Sequence, residues 1–271
     1  MHITRLGRSL FAALTAVATV VASAGCSQET DPPIQPVAQI SLASLGQGDL
    51  VATGVARHPK TGNLWLLARG VGLLEVSPDG KLVSQIKLGT HGLDNVLYND
   101  VAIRADGSFA LTANGEGYKY DPRTEQLEFY FCLVPSFEPI VMENDAIAID
   151  EVTGRIFVAP AYYDTSEGTR RLTRALLAQY AITDGAPLVE NDVMDTGVIA
   201  KGLVFDLAGG GVWALQGSQL VHFTGGGKLD GRTQELAGIE DGAGIAFDGD
   251  TMWVLDAHDG ELRSFPRPGT N

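Results

Sequence analysis

Residues 37–56, VAQISLASLGQGDLVATGVA, and residues 83–102, VSQIKLGTHGLDNVLYNDVA, repeat Val, Gln, Ile and Leu in register at an offset of 46 residues. One structural unit has therefore occurred twice, and a repeat of this length is read as a supersecondary unit that cannot bury its apolar face alone.

Following the unit along the chain, a short apolar strand recurs in TGVARHP (53–59), NDVAIRAD (99–106), DAIAIDEV (145–152), KGLVFDLA (201–208) and AGIAFDGD (243–250). A second strand follows each, in NLWLLAR, SFALTAN, RIFVAPA, GVWALQG and TMWVLDA, and then a third, in GLLEVSP, GYKYDPR, ALLAQYAIT, QLVHFTG and ELRSFPR. Turn sequences such as PDGK (78–81) and HDGE (258–261) separate them, which is hairpin chemistry. Units of four short antiparallel strands at about 40 to 45 residues per repeat predict an all-β propeller. The count is five blades, with six as the alternative should a degenerate blade have escaped it.

The last unit has three strands only, while the chain offers one spare at its start, VAQISL (37–42), equivalent to VSQIKL (83–88) on the outside of the first blade. A three-stranded closing blade would leave an open edge. The N-terminal strand is therefore expected to complete the last blade, giving a propeller domain over residues 37–268.

The residues before that domain divide in two. MHITRLGRSLFAALTAVATVVASAGC (1–26) has basic Arg5 and Arg8 followed by an apolar run and small residues, the pattern of an export signal over residues 1–25. Its uncharged stretch, Ser9 to Gly25, is 17 residues, at the short limit of the about 17 to 25 that span a bilayer. ASAGC (22–26) resembles a bacterial lipobox, which implies lipidation of Cys26 after cleavage; Ala22-Ser23-Ala24 also fits an ordinary signal-peptidase site. Residues 26–36, polar and Pro-rich, read as a flexible tether. The expected location is the cell envelope, with the domain exported and held to a membrane by its N-terminal lipid. The second cysteine, Cys132 in FYFCLV, is expected to be a buried thiol.

The whole chain carries a net charge of −14. Loss of Arg5 and Arg8 with the signal leaves 17 basic against 33 acidic residues, a net −16. Such a surface excludes nucleic acid as a partner, because that needs clustered Lys and Arg. No Gly-x-Ser-x-Gly elbow occurs, and the histidines at 2, 58, 91, 222 and 258 show no spacing suited to zinc. TGGGKLDG (224–231) lacks the spacing of a phosphate loop and reads as a hairpin turn between third and fourth strands.

Aligning the five first strands places Thr53, Asn99, Asp145, Lys201 and Ala243 at equivalent positions, expected to ring the mouth of the central channel. An ammonium at Lys201 is expected to pair with Asp145. The step from Asp145 to Lys201 is 56 residues against 46 for the two preceding steps, so about ten residues are inserted, within 160–173. Since the second strand returns to the face where the first begins, this insertion is expected to carry Tyr162, Tyr163, Arg170 and Arg171 over the mouth, a combination suited to binding.

With YNDVAIRADG (98–107) and ENDAIAIDEVTG (143–154), the chain resembles the SMP-30/gluconolactonase and NHL-type propellers. The resemblance implies a central divalent metal, usually Ca²⁺, that polarises a lactone. It would carry over Asn99 and Asp145 as ligands with Glu143 and Asn144 nearby, and Asp100 or Asp145 as candidate catalytic base. Two function classes follow: a binding or scaffold module presenting its channel mouth to a protein, glycan or small molecule, and a calcium-dependent lactone hydrolase.

Overall fold

The computed structural model describes residues 31–47, 50–88, 97–113, 115–132, 140–188 and 194–269, apart from the side chains of Asn144 and Asp145. The segment expected to be an export signal and Cys26 lie outside the described residues. Within them, five four-stranded antiparallel sheets form a five-bladed β-propeller.

The first blade comprises β2 (Ala52–Arg57), β3 (Leu64–Ala68), β4 (Gly72–Val76) and β5 (Leu82–Ile86). The second comprises β6 (Asp100–Ile103), β7 (Phe109–Ala113), β8 (Glu116–Asp121) and β9 (Gln126–Cys132). The third is longer, with β10 (Ile140–Asp150), β11 (Arg155–Asp164), β12 (Arg171–Ala181) and a short β13 (Met194–Asp195). The fourth comprises β14 (Gly202–Asp206), β15 (Gly211–Gln216), β16 (Gln219–Thr224) and β17 (Leu229–Glu235). In the fifth, β18 (Gly242–Asp248), β19 (Thr251–Asp256) and β20 (Glu261–Pro266) are joined by β1 (Ala38–Ser41) from the chain start.

That last pairing closes the ring as expected: Ala38 stands opposite Ser264 and Ser41 opposite Glu261. Ile40, Leu42 and Leu45 then bury themselves with Trp253, Leu255 and Leu262 of the fifth blade and Leu64 and Leu66 of the first. The seam between the chain's two ends is therefore a hydrophobic core as well as a ladder. The segment expected to be a tether is also tied down at one point, because Ile34 donates its N–H to Glu235 O at 2.9 Å and accepts from the Ala237 N–H at 2.9 Å.

Strand composition follows position in the blade. The second strands β3 and β7 are buried at every residue, being covered by neighbouring blades on both faces, and they read as unbroken apolar runs. Outer strands such as β5 and β17 are mostly exposed. The turns that follow the first strands are fixed by side chains. Asp106 accepts from Ser108 N at 2.8 Å, Asp150 from Val152 N at 3.0 Å and Asp206 from Gly209 N at 2.7 Å. The acids in RADG, DEVTG and DLAGG are thus turn builders.

The first strand of each blade lies against the first strand of the next, and β18 returns to β2. These five strands surround the channel and position everything at its mouth.

Cys132 is exposed at the end of β9, contrary to the buried thiol expected. An outer strand has no further strand of its own blade beyond it, so half its residues face solvent even where the sequence is apolar.

Candidate functional site at the channel mouth

Thr53, Asn99, Lys201 and Ala243 stand at or just before the start of the inner strands, Asp145 lies in the middle of the longer β10, and three of the five positions are β-bulges. Between the pairs Ala52–Ala68 and Gly54–Leu67, Thr53 is the extra residue; between Gly242–Asp256 and Gly244–Leu255, Ala243 is. In the third blade Asn144 and Asp145 together oppose Pro160, between the pairs Glu143–Ala161 and Ala146–Ala159. Proline offers no N–H to the ladder, so a break in register belongs there. At the other two positions the backbone pairs normally, Asn99 N with Thr112 O at 2.7 Å and Lys201 N with Leu215 O at 2.9 Å.

A cavity of about 270 Å³ occupies this mouth, lined by Thr53, Arg69, Asn99, Lys201, Asp241 and Ala243 among others. The Thr53 hydroxyl donates to Tyr98 O at 3.2 Å, tying the first blade's rim to the second. Lys201 forms an ion pair with Asp241. The carboxylate comes from the loop leading into the neighbouring fifth blade, and the pairing expected with Asp145 concerns a side chain outside the described residues. Arg69 is exposed and forms no ion pair among the described residues.

Asp241 is itself held by a buried acid. Asp256, fully buried at the end of β19, accepts the Glu240 N–H at 3.1 Å, the Asp241 N–H at 3.2 Å and Nη1 of Arg263 at 3.2 Å. This carboxylate fixes the loop that carries Asp241 to the rim.

One residue further along each first strand the channel closes. Gly54, Asp100, Ala146, Gly202 and Gly244 occupy equivalent positions. The space is so small that a Cβ on Gly244 would stand 2.7 Å from Val55 N, and one on Gly202 2.8 Å from Gly244 Cα. Asp100 is the one large side chain of this layer, and it is buried, at 2 % exposure. Its Oδ1 accepts from Val101 N at 2.8 Å, its Oδ2 from Ile147 N at 2.9 Å, and the backbone of Leu203 adds a third bond. Burial pushes its carboxyl well above the usual carboxylate range, against the pull of those three donors. Asp100 therefore links blades and plugs the channel. Beyond it a second cavity of about 190 Å³ is lined by Val55, Val101, Ile147, Leu203, Ile245 and their neighbours, Arg57 among them.

The insertion takes a different form from a loop. It lengthens β11 and β12, and β10 lengthens to match: Val141 pairs Tyr163 and Ile140 pairs Asp164, so a sheet rises beyond the ring residue of this blade. Of the four residues expected to overhang the mouth, Tyr162 is buried, Tyr163 is half-buried with the Arg170 guanidinium 5.1 Å from its ring centroid, and Arg170 and Arg171 are exposed. Arg170 also forms an ion pair with Glu143 across the extension.

The described donors do not fit calcium, which takes about six to eight oxygens. Glu143 is engaged by Arg170, Asp100 by backbone N–H groups, Ala243 contributes no side-chain oxygen, and Lys201 and Arg69 bring two cations to the cavity. Among the described residues no group of three His, Cys, Asp or Glu side chains comes together in a way that could hold a metal.

Arg69, Asp241 and Ala257 escaped the sequence reading, although a signal for them exists. The second strand returns to the mouth, so the residue just past its end belongs there, as does the residue two before each bulge. The structure joins these by equivalent bonds, Arg69 N to Val51 O at 2.9 Å and Ala257 N to Asp241 O at 2.8 Å.

No protein-family model matches the sequence, and no curated protein is similar to it by sequence. Solved structures match by fold. A glutaminyl cyclase of Myxococcus xanthus aligns with TM-score 0.53 and 12% identity over 86% of this chain and 97% of that one. Nidogen in its complex with laminin gives 0.51 and 14% over 81% of each chain. A gluconolactonase of Xanthomonas campestris gives 0.50 and 15% over 80% of this chain and 72% of that one. The resemblance to gluconolactonase-like and NHL-type propellers thus holds for architecture, and at these identities it establishes the fold alone.

Proposed function

We propose that this protein is an exported propeller, tethered to a membrane through a lipid on Cys26, whose channel mouth is a binding site for a small molecule. The observation that carries the reading is a cavity of about 270 Å³ at the channel mouth, with Thr53, Arg69, Asn99, Lys201 and Asp241 in its wall. A concave site with a few converging polar groups on a rigid scaffold is the usual form of a ligand pocket. The envelope location rests on the apolar segment before Cys26 and the lipobox resemblance of ASAGC. The calcium-dependent lactonase reading has less support, since the donors that it needs are engaged elsewhere or replaced by cations.

A thermal-shift screen of small metabolites tests the site. Ligands that raise the melting temperature of the wild type should lose that effect in Lys201→Met and Thr53→Val. A hit unaffected by mouth substitutions, and weakened instead by Ile147→Ala at the opposite cavity, would move the site to the other end of the channel.

A further inference from the structure

We infer that the raised edge of the third blade accepts an extended acidic segment of another protein as an added strand. This is a second site, apart from the mouth cavity, and it does not rest on the small-molecule reading. β10, β11 and β12 have 11, 10 and 11 residues, where no strand of another blade exceeds 7, yet the fourth strand of this blade, β13, has 2. β13 pairs with Leu176 and Leu177, and Thr196 N then reaches Ala175 O at 2.7 Å. Beyond that point Arg171–Arg174 are exposed, and no strand lies on their outer side among the described residues. The segment before β13 is too short to supply one. Leu188 N is held to Gln179 O at 3.0 Å and Met194 stands opposite Leu177, so residues 189–193, at most about 3.6 Å each, cannot climb to Arg174 and return.

An uncovered edge offers backbone donors and acceptors to another strand. A ladder of four residues already closes this fold, since β1 joins β20 over Ala38–Ser41 from the far end of the chain. The open edge of β12 has the same length. Its register names the occupant: Tyr162 pairs Arg174, Tyr163 pairs Leu172 and Asp164 pairs Arg171, with Thr173 the extra residue of a bulge. Tyr162 and Asp164 share a face of β11, so the bulge brings Arg171 and Arg174 to that face and leaves Leu172 on the other. Asp164 is engaged in the hairpin turn, accepting Ser166 N at 2.8 Å, and Arg174 meets Asp195 only at 3.9 Å with 58% of its side chain exposed. A second copy pairing here antiparallel would set arginine against arginine, which is destabilising. A strand alternating acid and apolar residues puts carboxylates beside Arg171 and Arg174 and an apolar side chain beside Leu172.

The test uses a short peptide of alternating glutamate and valine, and its counterpart of alternating lysine and valine, each titrated into the mature protein. The glutamate peptide should bind at least about tenfold more tightly, although the net charge of −14 favours the lysine one. Amide hydrogen exchange should slow within Arg171–Arg174. N-methylation of either the glutamates or the valines should abolish binding, because only one edge of the peptide faces β12. Arg171→Glu should reverse the preference; Arg171 is exposed, so the variant folds, and the contrast in the wild type stands independently of it. No binding of the glutamate peptide, tighter binding of the lysine peptide by the wild type, or protection that spares Arg171–Arg174 would overturn the assignment. Binding kept by both N-methylated peptides would reduce it to charge attraction and overturn it too. Dimerisation of the free protein that protects these same amides would give the edge to a second copy instead. None of these outcomes bears on the small-molecule screen at the mouth.

Discussion

Asp100 and Ile147 are joined across a blade boundary, the buried carboxylate of the one accepting the backbone N–H of the other at 2.9 Å. With bonds from Val101 and Leu203, one side chain ties three blades at the channel axis, in a layer where the other four have only Gly or Ala. Asp100→Ala should therefore strand buried N–H groups, and a loss of about 3 kcal/mol is expected, since each costs about 1 to 3 kcal/mol. Urea unfolding measures it; a change within about 0.5 kcal/mol would contradict the role.

The same carboxyl has a pH signature. Its folded-state pKa lies above the ordinary value of 3.8, so the folded protein holds this proton to higher pH than the unfolded chain does. Its contribution to stability then falls as pH rises above about 4, until the folded-state group has ionised. Asp100→Asn lacks the proton and the slope. The wild type should lose more stability than Asp100→Asn on going from about pH 4.5 to about pH 7.5; parallel curves would show that the group titrates normally.

The glycines of this layer are fixed by space rather than by backbone angle. A Cβ on Gly244 would meet Val55 N at 2.7 Å and Gly54 Cα at 3.0 Å, both backbone atoms that cannot rotate away. Gly244→Ala should cost about 1 to 3 kcal/mol. Gly226→Ala, whose Cβ would find only Thr224 Oγ1 at 3.8 Å, is the matched control and should leave the melting temperature almost unchanged.

The repeat of 37–56 in 83–102 carried the blade count, the strand order and the closing strand, because each depends on periodic apolar patterning that a ring of equal units must show. The mouth was legible only in part. Thr53, Asn99 and Lys201 follow from aligning first strands, but the partner of Lys201 comes from the loop before β18, held there by Asp256, and no local pattern announces that contact. The insertion was visible as a spacing anomaly; that it extends a sheet depended on the upstream residues Ile140–Glu143 pairing with it, which spacing alone does not encode. The acid of YNDV looked like a candidate base and is a buried link between blades, since sequence shows the residue type and not the crowding of four small neighbours around it.

Ring closure can be tested by truncation. β1 contributes a ladder of four residues on β20, the bond from Val37 N to Ser264 O at 2.7 Å, and Ile40 and Leu42 to the seam. A chain beginning at Ala43 should melt far below one beginning at Pro36. One beginning at Asp31 should melt slightly higher still, because it keeps the two Ile34 bonds to the fourth blade. Equal melting temperatures for the Ala43 and Pro36 starts would exclude a structural role for β1.

The lipid assignment predicts that Cys26→Ser releases the protein from membranes into the soluble exported fraction, since the substitution removes the thiol that would carry the lipid. Mass spectrometry of the mature N-terminus reads it directly. A start at Gly25 without acyl mass would replace lipidation by ordinary cleavage.

Lys201 decides between a calcium site and a site without metal. Its ammonium pairs with Asp241, with 38% and 44% of the two side chains exposed, so the pair itself should contribute less than about 1 kcal/mol to stability. Lys201→Met should accordingly melt near the wild type, yet leave Asp241 without its ion-pair partner in a polar cup where Arg69 is the remaining described cation. Added calcium should not stabilise the wild type. In the variant a weak affinity should appear, because removing the cation frees a carboxylate and lowers the repulsion of a divalent ion. The scale for a true site is large: a ligand that binds only the folded state stabilises it by about 2.7 kcal/mol at a hundredfold excess over its Kd. Calorimetry showing calcium bound by the wild type, and lost in Asn99→Ala, would reverse the assignment and restore the metal reading of the mouth.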